Sequence, residues 1–221
     1  MKKQFLLIAT LAISTITFAQ VKPSFGVRAG LSSAGIRGDA ANNLKSVLDF
    51  SNGMVTTSDN NGYFAGLYAT IPVATMITVE PAIYYSQKGY QMVGEFGVKG
   101  MEFIGASAKA KLTTNYIDIP VLLKANMDGF QFFAGPQMSY LMSADLKTTA
   151  GVLGINLLNK TLDATQQFNR WDAAVTAGVG YQMTNGINLM ASYEHGLSKL
   201  DANKNTDSYN RSFKVGLGIS F

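Results

Sequence analysis

Cysteine is missing from the 221-residue chain. That excludes disulfides, thiolate metal sites, a cysteine nucleophile and a lipoprotein anchor. Charge is scarce as well, at 14% Asp, Glu, Lys and Arg, against ~25% in an ordinary soluble domain. Something other than charged surface must therefore cover this protein. One histidine, His195, leaves little for imidazole metal sites or general acid–base schemes. No Lys/Arg cluster suggests nucleic acid. Beyond the N-terminal segment no apolar run reaches the ~20 residues that a membrane-spanning helix needs.

What is present begins with "MKKQFLLIATLAISTITFAQ". A basic start (Lys2, Lys3), an apolar stretch from Phe5 to about Phe18 and the small residues Thr17 and Ala19 make a secretory signal peptide, residues 1–19,. Cleavage is expected between Ala19 and Gln20. Lys2 and Lys3 leave with it, so the formal charge of +4 falls to +2. Residues 20–221 remain, a length that suits one domain or one closed barrel.

The chain closes on "RSFKVGLGISF", with Phe213, Val215, Leu217, Ile219 and Phe221 at alternate positions. Strict period two to the last residue reads as a strand with one face against an apolar medium. Similar alternation recurs in Phe25 to Ser33, Tyr63 to Ile71, Met76 to Gln87 and Tyr116 to Asn126. The remaining runs are Phe130 to Ser143, Trp171 to Met183, Ile187 to Leu197 and Tyr209 to Phe221. Eight strands of this length each suffice to cross a bilayer at a tilt. Pro81, Pro120 and Pro136 fall inside three of them. Proline removes a ladder donor, so a bulge or an early end of pairing is expected there.

Tight turns alternate with long polar connections. "IPVATM", "NMDGF" and "MTNGI" are the tight ones, the last two with Asp-Gly and Asn-Gly hairpin signals,. The stretch after Ser33 and the Gly-rich stretch after Tyr90 are read as long loops. In an even-stranded up-and-down barrel all the short turns then share one end with both termini. That is the layout of outer-membrane barrels, with short periplasmic turns and longer extracellular loops. A soluble barrel around a ligand would alternate too, with its apolar face inward. Small residues on the polar face suit a narrow lumen better than a solvated exterior. Tyr63, Tyr85, Phe130, Trp171, Tyr181, Tyr193 and Tyr209 stand near strand ends, where a headgroup girdle belongs,. The expected fold is all-β: an eight-stranded antiparallel up-and-down transmembrane barrel.

The mature chain resembles the PorT-type outer-membrane β-barrel family of the Bacteroidetes. The resemblance rests on "VRAGLS" (Val27 to Ser32), "YIDIPVLLKAN" (Tyr116 to Asn126) and "FFAGPQMSYLMSA" (Phe132 to Ala144). "WDAAVTAGVGYQ" (Trp171 to Gln182) and "NLMASYEHGLSKL" (Asn188 to Leu200) add to it. The aromatic-x-acid-Ile-Pro-hydrophobic-Lys segment is the most specific of these. The terminal alternation ending on Phe221 also resembles the signal read by outer-membrane barrel-assembly machinery. The resemblance implies outer-membrane lipid and that machinery as partners. One named member is associated with protein secretion, so a secretion-system or extracellular protein partner is a further implication.

Strand parity puts Arg28, Glu80, Asp118, Lys124, Asp172, Glu194 and Lys214 on the inward face. Ions in so narrow a space must be paired or wet. A filled polar core is the expected arrangement, with a narrow transport pore as the alternative. Arg28 and Lys214 should lie on adjacent strands, with Glu80 or Glu194 in reach. Ser192, Glu194 and His195 raise the alternative of a membrane-embedded lipid-modifying enzyme, but consecutive strand residues point to opposite faces. No catalytic, metal or cofactor site is expected. Asp39, Asp49, Asp59, Asp163, Asp201 and Asp207 lack a calcium-loop spacing,. The expected function is non-enzymatic: a surface-interaction or structural barrel, facing outward with its long loops.

Overall fold

The computed structural model describes residues 22–38, 55–98, 101–152, 155–201 and 207–221. The expected signal peptide, Asp39 and Asp49 lie outside the described residues. Strands are β1 (Ser24–Gly38), β2 (Val55–Ala74), β3 (Ile77–Val98), β4 (Met101–Met127), β5 (Phe130–Val152) and β6 (Ile155–Asp163). A 3-10 turn at Thr165–Gln167 precedes β7 (Trp171–Gln182), β8 (Ile187–Gly196) and β9 (Ser208–Ser220). Eight of them form a closed antiparallel ring, β1-β2-β3-β4-β5-β7-β8-β9, in which β9 pairs with β1. Closure reaches the last residue: Phe221 donates its amide to Phe25 at 2.8 Å and accepts one back at 3.3 Å. No main-chain edge is left within the ring, as an apolar surround demands.

The turn chemistry is that of the sequence. Asp128 and Gly129 both take positive φ (48° and 89°), the mirror-image hairpin turn that matches strand twist. Gly186 does likewise at 88° in the β7–β8 turn.

Period two decides which side chains face where. Outward positions are apolar and exposed, Leu217 at 58% for example, whereas inward Asp118 is at 0%. A soluble fold has the opposite distribution, so the medium around this ring must itself be apolar. Aromatic pairs mark the rims of the belt: Phe130 against Tyr181 at the turn end, Tyr140 against Trp171 toward the other, both at 5.0 Å between ring centres. Tyr63 and Tyr85 pair in the same way at 6.0 Å.

Pro81, Pro120 and Pro136 produce neither bulges nor strand ends. Pairing lapses for two residues between Pro81↔Val121 and Tyr84↔Asp118, then resumes in the same register. The β4–β5 ladder also skips from Pro120↔Gln137 to Leu123↔Ala134 without slipping. A missing donor costs one or two bonds here, but the neighbours on either side hold the register. The ladder's shift falls instead at Asn115/Tyr116.

The long connections differ most from expectation. Much of what reads as loop is strand: β2 begins at Val55, and β3 and β4 continue to Val98 and from Met101 as a tall hairpin. Beyond the belt the polarity inverts. Tyr90, Leu112, Leu146 and Leu162 form one cross-strand row on the inward side, and Gln91, Lys111, Lys147 and Thr161 form the outward row. That is the pattern of a sheet in water. β6 was not foreseen. It lies along the upper part of β5, whose lower part, Phe130 to Tyr140, pairs with β7. β6 ends where the Thr165 amide donates to Asp163 at 2.8 Å. Thr165's hydroxyl and backbone contacts hold this exposed carboxyl below the usual carboxylate range.

Candidate functional site in the barrel lumen

Among the described residues eight ionic side chains are buried: Arg28, Lys88, Lys124 and Lys214 against Glu80, Asp118, Asp172 and Glu194. Four charges of each sign leave the interior neutral as a whole, which a low-dielectric core requires. All seven residues singled out by parity are among them. The eighth, Lys88, was missed because the strand seemed to stop at Gln87. It keeps the parity of Glu80, Tyr84 and Ser86 and is fully buried.

The lower group lies nearer the turn end and is centred on Glu80. Arg28 clamps Glu80 with both terminal nitrogens, at 2.6 and 3.3 Å, the bidentate geometry that makes guanidinium–carboxylate pairs strong. Lys124 shares Oε2 of the same carboxylate at 2.5 Å. Arg28 also donates to Tyr84 at 2.7 Å and Asn188 at 3.0 Å, and its guanidinium sits 4.1 Å from the Tyr68 ring centre. Its Nε donates to Asn188 as well, at 3.2 Å, so every nitrogen of the guanidinium is used.

The upper group is a closed ring of four ions. Lys214 donates to Asp118 at 2.7 Å and forms an ion pair with Glu194 at 3.0 Å. Lys88 bonds the same two carboxylates, Asp118 at 3.1 Å and Glu194 in closer contact. Each cation therefore touches both anions. Ser139 donates to Asp118 at 2.6 Å, and Gln137 and Thr176 extend that chain across to β7. Asp172 stands apart from the ring, accepting from Asn210 at 2.6 Å.

As expected, Arg28 and Lys214 sit on paired strands, but four residues out of register. Each belongs to a different group. Glycine makes room between them: the Phe64 ring lies over Gly30 and Gly216, where an added Cβ would come within 2.7 and 2.6 Å of it. Lys88, Asp118, Glu194 and Lys124 are at most 2% exposed, so no water column runs beside them. Ser192 and Glu194 point inward while His195 is exposed outside; these three side chains do not converge. Among the described residues no group of three or more metal-ligating side chains occurs.

Removing Arg28 should be tolerable, because Glu80 keeps Lys124. The expected loss for Arg28→Ala is about 1.5–3 kcal/mol, the worth of hydrogen bonds to a charged group. A urea unfolding midpoint in lipid vesicles that stays unchanged would make the lower group immaterial.

An apolar exterior, a closed strand ring and an ion-filled interior define a small transmembrane β-barrel with a packed lumen. The chain belongs to the family described as the outer membrane protein beta-barrel domain, matched over residues 18–202, and its surround is bacterial outer-membrane lipid. Among solved structures it is similar to Neisserial surface protein A, at 12% identity over 90% of this chain and 99% of that one, TM-score 0.42. Ail of Yersinia pestis, in complex with the heparin analogue sucrose octasulfate, is similar at 12% identity over 90% and 99%, TM-score 0.44. The outer membrane protease OmpT of Escherichia coli is similar at 11% identity over 91% and 96%, TM-score 0.36. A comparison with curated proteins finds no match.

Proposed function

We propose that the protein is a non-enzymatic surface barrel, a plugged cylinder that holds a raised β-sheet outside the cell for an interaction partner. The observation that carries this reading is the lumen, where seven of the eight ions buried among the described residues pair with one another and leave no water column beside them. A rigid interior suits a pedestal, and the tall strands β2 to β6 supply the displayed surface. In this reading the tight turns and both termini face the periplasm and the raised sheet faces outward. Residues 1–19 act as a cleaved signal, and the Phe221 row is read by the barrel-assembly machinery. The PorT-type resemblance makes a component of a secretion apparatus one class of partner.

Planar-bilayer recording of the purified barrel tests the plug, and silent membranes are expected. Discrete openings that persist across preparations would establish a narrow pore instead. Because the chain lacks cysteine, a Lys147→Cys variant gives a single thiol on the raised sheet; labelling of intact cells by an impermeant maleimide is the result expected of an outward sheet.

A further inference from the structure

Strand β6 is where the sheet is left open. From Leu158 to Asp163 it pairs with β5 on one side, and among the described residues no backbone lies along its other side. β7 takes the neighbouring place in the ring only lower down, beside Phe130 to Tyr140, so β6 overhangs. All six residues from Leu158 to Asp163 are exposed, although their register is unbroken. A run exposed on both faces of a regular strand has no covering layer. Leu162 continues the inward row of Leu112 and Leu146, and Leu158 shares its face, with Lys160 between them.

An exposed edge of this kind is a template for another strand, and proteins usually blunt it with proline, bulges or charge. Leu158 to Asp163 contain no proline and no bulge. Lys160 is the one charge on the inward face there. It rejects strands with a cation opposite and favours those with a carboxylate. Direction narrows the partner further. β6 runs toward the membrane, so another copy in the same bilayer can only present its own β6 in parallel, the weaker pairing.

We propose that the outer edge of β6 is a strand-addition site for an extended segment of another polypeptide. That segment runs antiparallel, with apolar residues opposite Leu158 and Leu162 and a carboxylate opposite Lys160. Main-chain bonds would supply affinity and the alternate side chains specificity. The inference deepens the surface-barrel reading and rests on it.

The probe is a fluorescent nine-residue peptide with valine, glutamate and valine at its third, fifth and seventh positions and threonine between them. It is titrated against the full chain in detergent micelles and followed by anisotropy. Saturable binding is expected, weakened roughly tenfold or more when alternate amides are N-methylated, because several hydrogen bonds are lost together. Lysine in place of the glutamate should weaken binding about fivefold, and Lys160→Glu should reverse that preference. Lys160 is exposed, so this variant leaves the fold intact. No saturable binding, indifference to N-methylation, or no reversal in Lys160→Glu would each overturn the site. A dimer in micelles that Leu158→Lys dissociates would overturn it in favour of a second copy. Failure of the peptide with silent bilayers refutes the edge alone, whereas channel openings refute the surface-barrel reading itself.

Discussion

Asp118→Ala should lower the stability of the barrel by about 3–5 kcal/mol, the cost of removing one partner from a buried ion pair. Asp118 bonds both cations of the upper ring and accepts from Ser139. Without it Lys88 and Lys214 converge on the single carboxylate of Glu194, in a place water does not reach. The loss exceeds that of Arg28→Ala because no second carboxylate takes over. Urea unfolding in lipid vesicles measures it. The double variant Asp118→Asn with Lys214→Met removes one charge of each sign and should recover more than half of the loss, leaving Lys88 paired with Glu194. An unchanged midpoint in the single variant, or no recovery in the double one, would show that charge balance is not what the ring provides.

Leu217→Arg should cost up to roughly 2–4 kcal/mol, the penalty for a cation on the lipid face of a barrel, which is largest at the bilayer midplane and falls toward the interfaces. Leu217 is exposed to lipid between Val215 and Ile219 and pairs with Ala29 and Leu189. Phe221→Asp provides the contrast. Its two bonds to Phe25 are main-chain bonds, which any residue makes, and it stands at the rim. The Asp variant should therefore refold in micelles as the native chain does, yet accumulate poorly in the outer membrane of cells if the terminal row is an assembly signal. Normal insertion would remove that role from Phe221 and leave the barrel intact. Failure in both settings would point to lost closure, and equal stability of Leu217→Arg and the native chain in vesicles would contradict a lipid-facing Leu217.

Alternation was legible because its cause is local. In a strand the Cβ direction reverses at each residue, so Phe213 to Phe221 or Ile117 to Ala125 state their own two faces. Asp128-Gly129 and Asn185-Gly186 likewise announce their turns through backbone preference. Where strands leave the membrane the code changes. Leu112 beside Lys111, and Leu146 beside Lys147, alternate with the apolar side inward, the reverse of the belt. Against a template of lipid-facing strands they read as polar loop. Lys88 was lost in a similar way, because the alternation was followed only to Gln87 although β3 runs on to Val98.

By itself, then, the sequence determined the eight strands of the belt, their tight turns, the facing of their side chains and all but one of the ions that must share one interior, all of which follow from neighbours in the chain. Which ion meets which is a different matter. Lys214 and Asp118 are 96 positions apart, Lys88 and Glu194 are 106 apart, and Arg28 and Glu80 are 52 apart. Strand tilt and the register of ring closure bring the members of each pair to the same level of the lumen, and neither quantity is written in any local pattern. The same holds for β6, left over because β5 is long enough to serve two partners on one side. Only the closed tertiary structure decided that.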